Sequence, residues 1–250
     1  MSSSAETRFV DLNADLGEGA EEEALYPLVT SANIACGGHA GTLVSMVTAI
    51  DRCRAAGVAV GAHPSYEDAS GFGRRSLRAS VSPEEIAATV ELQVSLLSSH
   101  ARDRGIRLVH VKPHGALYND AATDPDVARA LGRGVLRAAR DAIVFGLAGS
   151  AAIPVWRDLG LEVAEEGFAD RAYRADGSLV PRGEPGAVLT DPEAAAAQAV
   201  TLARSGRVAT LCVHGDTPGA LAILSAVRAA LVGDGFALRA PSRSAARRRA

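Results

Sequence analysis

Lys112 is the only lysine among the 26 lysines and arginines of this 250-residue chain. It lies in the segment VHVKPHG (residues 109–115), whose composition predicts a β-strand. Because strand side chains alternate between two faces, we expect His110, Lys112 and His114 on the same face. A compact ammonium between two imidazoles indicates a chemical site where a guanidinium cannot take its place. A chance position in an arginine-rich sequence is the alternative interpretation.

Polar side chains also gather near the ends of other predicted strands. In residues 10–16 (VDLNADL), Asp11, Asn13 and Asp15 alternate with apolar residues and therefore share one face. Parallel strands of an α/β fold bring such residues together at their carboxyl ends. The candidate cluster consists of Asp11, Asn13, Asp15, His39, His63, His110, Lys112, His114, Asp170, His214 and Asp216.

An aspartate with two histidines is a suitable ligand set for a divalent metal ion. Such an ion polarises a carbonyl group or activates water. The set that we predict is Asp11, His39 and His63, with Asp15 as the alternative to Asp11. A hydrogen-bonded polar site without a metal explains the same residues equally well.

The cations have several predicted roles. Lys112 can hold a carboxylate or a developing negative charge, or it can form a Schiff base if an apolar pocket lowers its pKa. Arg74 and Arg171 lie in two long loops and suit the binding of carboxylate or phosphate, although solvated loop charge is the alternative. Glu165 and Glu166 are interpreted as an acidic pair in a loop or at a helix start.

The pattern of elements predicts the architecture. Strands alternate with helical segments along the whole chain, which indicates a parallel sheet covered by helices. Polar strand residues must then point into a barrel or crevice. We predict an α/β fold with a TIM-like (β/α) barrel of seven strands, and an open doubly wound sheet is the alternative. The predicted strands are residues 9–13, 30–35, 59–62, 108–112, 142–147, 162–164 and 209–213, and the predicted helices are residues 43–56, 82–104, 124–140, 191–204 and 217–231. Residues 1–240 are expected to form this single domain, followed by a basic, disordered tail over residues 241–250.

Composition excludes several functional classes. A net charge of −3 argues against nucleic acid as a partner. The three cysteines form no CxxC pair, which favours reduced thiols in the cytoplasm, and Cys36 is expected to be buried and inert. The N terminus has no signal-peptide pattern, and the longest uncharged stretch, residues 142–156, is shorter than the ~18 residues of a membrane span. We therefore expect a cytoplasmic protein without membrane contact. No Walker A loop is present, which excludes P-loop ATP binding.

Six motifs, in order from about residue 10 to residue 236, resemble those of the LamB/YcsF family of 5-oxoprolinase A subunits. They are DLNADLGEG (11–19), SANIACGGHAG (31–41), GAHPSY (61–66), VKPHGALYN (111–119), FADRAY (168–173) and CVHGD (212–216). The resemblance implies a TIM-like barrel related to metal-dependent polysaccharide deacetylases. It also implies ATP-dependent opening of 5-oxo-L-proline to L-glutamate, with Mg²⁺ accompanying ATP and with subunits B and C as partners.

Residues within these motifs and the long loops are assigned predicted roles. Asp15, Lys112, His114, Asp170 and His214 are predicted to be catalytic. Asn13, Asn33, Arg74 and Arg171 are predicted to bind the substrate. The lactam is an unreactive amide, so its opening requires carbonyl activation and attack by water, for which phosphorylation by ATP supplies the driving force.

The chain departs from the family pattern in the run Gly-Phe-His-Ala-Gly-Asp, which reads GGHAGT over residues 37–42. Thr42 lacks the carboxylate that would make this position a candidate ligand. Gly38 lacks the aromatic side chain, which we expect to loosen the pocket. Two other functions fit the sequence: a stand-alone metal-dependent amidase or deacetylase acting on a small amide, and a non-catalytic subunit of the complex.

Overall fold

The computed structural model describes residues 7–19 and 21–243. Within them, seven parallel strands form a ring in chain order, and a short eighth strand pairs with the start of the first. The strands are β1 (Arg8–Leu16), β2 (Ser31–Ala35), β3 (Ala59–His63), β4 (His110–Val111), β5 (Ile143–Leu147), β6 (Glu162–Phe168), β7 (Thr210–His214) and β8 (Phe236–Leu238).

The ring is closed because β1 has a partner on each side. Asn13 in β1 lies opposite Ser31 in β2 and opposite Cys212 in β7. A closed ring of parallel strands with helices outside is a TIM-like barrel, so the predicted seven-stranded barrel is confirmed. The open doubly wound alternative is wrong, since it would leave β1 or β2 as a free edge. The short β8 pairs only with Arg8–Val10, below the barrel proper.

Seven α-helices surround the barrel in the described part of the chain. They are α1 (Leu43–Ala56), α2 (Pro83–Asp103), α3 (Gly115–Thr123), α4 (Pro125–Ala139), α5 (Ala152–Asp158), α6 (Pro192–Arg204) and α7 (Ala220–Gly233), with 3-10 helices at Glu23–Leu28 and Ala69–Gly71. The start of α2 follows its sequence signal: the Ser82 hydroxyl accepts from the Glu85 amide, the Glu85 carboxylate accepts from the Ser82 amide, and Pro83 occupies the first turn. Helices α3 and α5 and strand β8 were not predicted, because they are short.

Strand alternation separates two sets of buried side chains. Residues such as Leu12, Ile34 and Val111 point outward and form the main core with the helices. Inside the barrel, Ile143 and Phe145 belong to a small apolar cluster on the β5–β6 side. Interior side chains of β1 and β2, including Asp11, Asn13, Asp15 and Asn33, are polar and hydrogen-bonded, and they lead to the carboxyl ends of the strands.

Two further observations concern the predictions about a membrane span and about the C-terminal tail. None of the helices in the described ranges has the length and apolar composition needed to cross a bilayer. Within the predicted tail, Arg243 pairs with Asp141 and with Glu162, the latter at 3.1 Å. Residues 244–250 lie outside the described residues.

Candidate active site at the carboxyl ends of the strands

Asp11 lies deepest in the polar half of the barrel. Its carboxylate accepts hydrogen bonds from Thr30 and Thr210, both at 2.6 Å, and from Ser31 at 2.7 Å. Burial raises the pKa of Asp11 to about 6, although these hydroxyl donors act in the opposite direction. Asp11 is not among the clustered donor atoms that include His39 and His63, so the structure does not bring the predicted Asp11–His39–His63 ligand set together. Strand alternation identified the correct face for Asp11 but not its depth.

The two asparagines predicted to bind substrate form the next layer. The Asn33 amide donates to Asn13 Oδ1 at 2.7 Å and to Asp15 Oδ1 at 2.8 Å. Asn13 in turn donates to Glu166 Oε1 at 3.0 Å. Both asparagines are fully buried. Their amide groups therefore position the two carboxylates, and substrate binding by these two asparagines stays a prediction.

His110 belongs to this layer and does not reach the mouth. Its Nε2 lies 2.7 Å from Asn33 Oδ1, and its ring stacks on Phe145 with 4.2 Å between centroids. The ring crosses β3 at Gly61, where an added Cβ would overlap the imidazole. Burial lowers the pKa of His110 to about 3, which favours a neutral ring. His110 is thus a packing and hydrogen-bonding group.

Lys112 occupies the centre of what we call the lysine cluster: Asp15, Lys112, Glu166 and Cys212. Its Nζ donates to Asp15 Oδ1 at 2.5 Å and to Cys212 Sγ at 3.2 Å, and it lies 3.9 Å from Glu166 Oε1. Burial opposes the charge, but Asp15, Cys212 and Glu166 together outweigh burial and keep the pKa of Lys112 well above its usual value. A charged ammonium supports the electrostatic role and argues against the Schiff base.

The carboxylates of the lysine cluster respond differently to burial. The pKa of Asp15 is held well below its usual value because His63 and Lys112 outweigh the cost of burial. Burial raises the pKa of Glu166 to about 7, against the opposing effect of Lys112. Asp15 is therefore the anion that pairs with Lys112, and Glu166 changes its charge near neutral pH.

His214 and Asp170 form an oriented pair beside this cluster. The Nδ1 of His214 lies 2.9 Å from Asp170 Oδ1, and the same carboxylate accepts from the His214 amide at 3.0 Å and from the Thr217 hydroxyl at 2.6 Å. Despite burial, the pKa of Asp170 is lowered, chiefly by His214. The other ring nitrogen, Nε2, lies 4.0 Å from Asp15 Oδ2. A carboxylate that fixes one ring nitrogen leaves the other available for proton transfer, as in known general bases.

The second polar group at the mouth, which we call the histidine cluster, consists of Glu18, His39, His63 and His114. His63 Nε2 lies 3.0 Å from His114 Nδ1, and Glu18 Oε1 lies 2.7 Å from His39 Nε2. His63 Nε2 is also 3.3 Å from Asp15 Oδ2, which joins the two clusters. The donor atoms of these four residues lie within 4.8 Å of one another, so they could hold a metal ion.

Loop geometry brings Glu18 into the histidine cluster. Gly17 turns the chain after β1 with φ of 78°, a left-handed conformation that favours glycine. The Glu22 carboxylate accepts from the amides of Glu18 at 3.0 Å and Gly19 at 2.7 Å, which holds the turn. Burial lowers the pKa of His39 to about 3 and also lowers the pKa of His63, so both rings favour the neutral form that binds metals.

The two arginines predicted to bind substrate have different positions. Arg74 lies at the barrel mouth, where it pairs with Asp216, and Arg182 lies 3.5 Å from the other oxygen of the same carboxylate. Arg171 is buried and donates to the backbone carbonyls of Ala187 at 3.2 Å and Val180 at 2.6 Å. Its guanidinium therefore holds the loop after β6 together, which is a structural role.

Sequence reasoning missed Glu18 and Glu166. Glu18 lies in the motif DLNADLGEG (11–19), but it follows the first predicted strand. Strand alternation therefore gave no reason to place it with the histidines. Glu166 was interpreted as part of a loop or helix start, whereas β6 extends to Phe168 and turns Glu166 inward. Strand residues two positions apart share a face, so the spacing between Glu166 and the inward-facing Phe168 could have identified Glu166 as an interior residue.

Both departures from the family pattern have local explanations. Thr42 is the N-cap of α1 and accepts from the Ser45 amide at 3.1 Å, so it takes no part in the histidine cluster. At Gly38, an added Cβ would overlap Ser65 Oγ and would lie 2.6 Å from Gln93 Nε2. Ser65 and Gln93 fill the space beside Gly38, so a larger side chain at this position would have to displace them.

Residues 10–246 match the model of the LamB/YcsF family. A protein from Chloroflexus aggregans, named as the A subunit of 5-oxoprolinase, is 48% identical, and the alignment covers 93% of this chain and 98% of that protein. The crystal structure of a lactam utilization protein from Thermus thermophilus superposes with a TM-score of 0.87 at 40% identity, covering 93% of this chain and all of the other.

A more distant structural likeness concerns the fold alone. The catalytic domain of a peptidoglycan N-acetylglucosamine deacetylase from Eubacterium rectale superposes with a TM-score of 0.56 at 10% identity, over 97% of this chain and 92% of that one. The expected relationship to polysaccharide deacetylase barrels is therefore confirmed at the level of architecture.

Proposed function

The chain belongs to the LamB/YcsF family, and from this membership we propose that it opens the ring of 5-oxo-L-proline to L-glutamate as the A subunit of an ATP-dependent 5-oxoprolinase. The structural observation that carries the proposal is the charged, buried Lys112 beside the oriented His214–Asp170 pair. A lactam hydrolase needs a fixed positive charge for the carbonyl oxygen and a base for water, and these residues supply both.

Lys112 is proposed to stabilise negative charge at the activated carbonyl oxygen of the lactam, including the charge of the phosphoryl group transferred to it. The ammonium is preorganised, since it already donates to Asp15 and Cys212 and keeps its charge although only 2% of its side chain is exposed. A preformed charge in a site with little water stabilises a transition state more than a mobile surface charge does.

His214 is proposed to take a proton from the attacking water and to return it to the ring nitrogen that leaves. Asp170 fixes the ring so that Nε2 points to Asp15 and the lysine cluster. His114, which the sequence predicts to be catalytic, belongs to the histidine cluster, where its Nδ1 lies 3.5 Å from Glu18 Oε1.

The carboxylate of 5-oxoproline is proposed to bind at the cationic mouth. Arg74 and Arg182 both pair with Asp216, so two guanidinium groups share one carboxylate. The two guanidinium groups and the single carboxylate together carry a net positive charge. They are partly exposed, which suits the binding of a small anion. This proposal retains the predicted role of Arg74 and replaces that of Arg171.

ATP, accompanied by Mg²⁺, is proposed to drive the reaction by transferring its γ-phosphoryl group to the lactam oxygen, with release of ADP. One water then opens the C–N bond to give an amine and an acyl phosphate, and a second water releases inorganic phosphate and the carboxylate. Because the sequence has no Walker A loop, ATP is proposed to bind with subunits B and C or through another loop. The three buried free cysteines fit a reducing cytoplasm, where we propose that the complex works.

The test is reconstitution with the B and C subunits of the same organism. We expect ADP and glutamate to form in equal amounts, only when 5-oxoproline and all three proteins are present. An Asp170→Asn version of this chain is the matched control. Absence of turnover with folded partners would contradict the proposal.

A stand-alone metal-dependent amidase or deacetylase is the second candidate, and the histidine cluster is the observation that favours it. It predicts hydrolysis of small acetamides or lactams by this chain alone, without ATP, and loss of that hydrolysis after chelation. The absence of any such hydrolysis by the zinc-loaded chain alone would rule this candidate out.

A further inference from the structure

We propose that Glu18, His63 and His114 bind one divalent transition-metal ion, with zinc as the best match, and that His39 orients Glu18 for this role. Hydrogen bonds and distances within the histidine cluster support this site. The isolated chain should bind the ion whether or not a lactam is the substrate.

The hydrogen bonds fix which nitrogen of each ring is free. His63 Nδ1 lies 2.7 Å from the backbone carbonyl of Lys112, and His114 Nε2 lies 2.9 Å from the backbone carbonyl of Phe72. A carbonyl oxygen only accepts, so both of these nitrogens must carry hydrogen. In the neutral rings, His63 Nε2 and His114 Nδ1 then carry lone pairs, and these two atoms lie 3.0 Å apart.

Two lone pairs face carboxylate oxygens here, including Asp15 Oδ2 at 3.3 Å from His63 Nε2, and such an arrangement calls for either a metal ion or a proton between the donors. Glu18 Oε1 lies 3.8 Å from His63 Nε2 and 3.5 Å from His114 Nδ1. The three donor atoms therefore form a triangle with sides of 3.0, 3.5 and 3.8 Å. Ligands bonded to one tetrahedral zinc ion are about 3.3–3.6 Å apart, given bond lengths of about 2.0–2.2 Å.

The donor chemistry also selects the ion. Two imidazoles and one carboxylate are the ligands of many catalytic zinc sites, which keep a fourth position open for water or substrate. Mg²⁺ and Ca²⁺ prefer all-oxygen ligands, so a transition metal fits better. The backbone carbonyls that fix the two rings are the outer hydrogen-bond partners expected of metal-binding histidines.

His39 is better placed to orient Glu18 than to bind the ion. Its ring is parallel to that of His114, with 3.6 Å between centroids and 4° between planes. The in-plane lone pairs of two parallel rings cannot converge on one ion. His39 Nε2 instead lies 2.7 Å from Glu18 Oε1, where it can donate and hold the carboxylate in place.

The loop after the second 3-10 helix is fitted to this cluster. Phe72 has a φ of 53°, an uncommon conformation for a residue with a side chain, and it directs its carbonyl to His114. At Gly73, an added Cβ would lie 2.8 Å from both His114 and His39. Such a strained and closely packed backbone is typical of a built functional site.

A second group of donor atoms, Asp15, Cys212 and His214, does not need a metal. Lys112 Nζ already lies 2.5 Å from Asp15 Oδ1 and 3.2 Å from Cys212 Sγ, so that group has its cation. His214 Nδ1 is occupied by Asp170. The proposed ion therefore belongs to the histidine cluster.

The experiment measures zinc in the isolated chain. Protein stripped with chelator is dialysed against zinc, and bound metal is counted by mass spectrometry and titrated against a chromophoric chelator. We expect about one zinc per chain in the wild type and at least a 100-fold weaker affinity in His63→Ala, His114→Ala and Glu18→Gln. His39→Ala should weaken binding about 10–100-fold.

Two variants serve as controls, and both should bind zinc like the wild type. His100→Ala removes a histidine from helix α2, and His214→Ala removes one from the second group of donors. Cobalt substitution adds a spectroscopic readout, since tetrahedral Co²⁺ absorbs strongly in the visible range, and Glu18→Gln should abolish that absorption. Circular dichroism checks that each variant is folded, and Glu18→Gln carries the test if the histidine variants do not fold.

Three results would overturn the proposal: no zinc bound by the folded wild type, full binding by Glu18→Gln, or loss of binding in His214→Ala with retention in His63→Ala. The first result would mean that a shared proton lies between His63 and His114. None of these results depends on 5-oxoproline turnover, so failure of the metal site and failure of the proposed function remain distinguishable.

Discussion

The lysine cluster and the histidine cluster lie side by side at the barrel mouth and differ in the origin of their positive charge. In the lysine cluster, the ammonium of Lys112 is covalently part of the chain and lies 2.5 Å from Asp15. In the histidine cluster, three buried rings converge on Glu18, and the proposed cation comes from solution. Asp15 connects the two, since its other oxygen lies 3.3 Å from His63.

Because of this difference, we expect the lysine cluster to contribute to folding and the histidine cluster to contribute to ligand binding. A buried carboxylate with a permanent cation contributes to the fold, and removal of the cation leaves an uncompensated charge. A cluster that takes its cation from solution can lose it without damage to the strands. Substitutions in the lysine cluster should therefore affect stability most, and substitutions in the histidine cluster should affect metal affinity most.

The largest expected effect on stability comes from Lys112→Met. It leaves Asp15 buried without its ammonium partner, and we expect the free energy of unfolding to fall by about 3–5 kcal/mol. Urea denaturation measures this loss. The double variant Lys112→Met with Asp15→Asn removes both charges and should recover at least half of it. A loss below about 1 kcal/mol in the single variant would contradict the role given to the lysine cluster.

The His214–Asp170 pair should show the opposite behaviour, with a large effect on activity and a small one on the fold. Asp170→Asn removes the carboxylate that fixes His214 Nδ1, and we expect kcat to fall about 10²–10⁴-fold. The rate of glutamate formation by the reconstituted complex measures kcat, and KM is determined separately. Asp216→Asn, at the mouth, is the comparison: it should change KM more than kcat. An Asp170→Asn variant with normal kcat would remove His214 from the mechanism.

Lys112→Arg tests whether any cation suffices in the lysine cluster. The guanidinium is larger and planar, and Lys112 is enclosed by Asp15, Cys212 and Glu166, so we expect a cost of about 1–3 kcal/mol in stability. Activity should fall even where the protein remains folded, because the donor groups are displaced from the carbonyl oxygen. Wild-type kcat in a folded Lys112→Arg protein would show that the ammonium is not specifically required.

The sequence predicted the fold well because barrel strands and capped helices are local signals. Ser82, Pro83 and Glu85 define the start of α2 without any tertiary contact. The barrel was favoured over the open sheet by polar residues on strands that helices should cover. The ring closure itself depends on pairing between Asn13 and Cys212, which are far apart in sequence.

The site was predicted less well because alternation determines the face of a strand but not the depth. Asp11, Asn13 and Asp15 share one face, yet only Asp15 reaches the mouth. Glu166 was missed because an acidic pair before a glycine resembles a loop, and only its contacts with Asn13 and Lys112 explain why it is buried. Arg171 was assigned to substrate from its charge, but backbone carbonyls of its own loop occupy it.

Glu166 should give the lysine cluster a pH dependence that Glu166→Gln removes. Burial raises its pKa in the folded state to about 7 from 4.5, so the native protein binds the proton more tightly than the unfolded chain does. This contribution to stability is fully present below pH 4.5 and is lost as the pH rises through 7.

Relative to the wild type, Glu166→Gln should therefore gain on the order of 2 kcal/mol in unfolding free energy between about pH 5 and about pH 8. Urea denaturation at several pH values measures it. Glu165→Gln is the matched control, since Glu165 lies on the opposite face of β6 and pairs with Arg157 at 2.9 Å. Parallel pH profiles for wild type and Glu166→Gln would contradict the prediction.

The smallest effect is expected at Thr42, which lies close in sequence to His39 but contributes nothing to the histidine cluster. Thr42 caps α1 through the Ser45 amide, so Thr42→Ala should cost about 1 kcal/mol of unfolding free energy. Thr42→Asp restores the acid of the family pattern and should cap α1 about as well, with a change within about 0.5 kcal/mol. Zinc affinity should be unchanged in both variants, because the donors proposed for the ion are Glu18, His63 and His114. A clear rise in zinc affinity in Thr42→Asp would mean that the histidine cluster extends to this position and that the acid is a ligand lost from this chain.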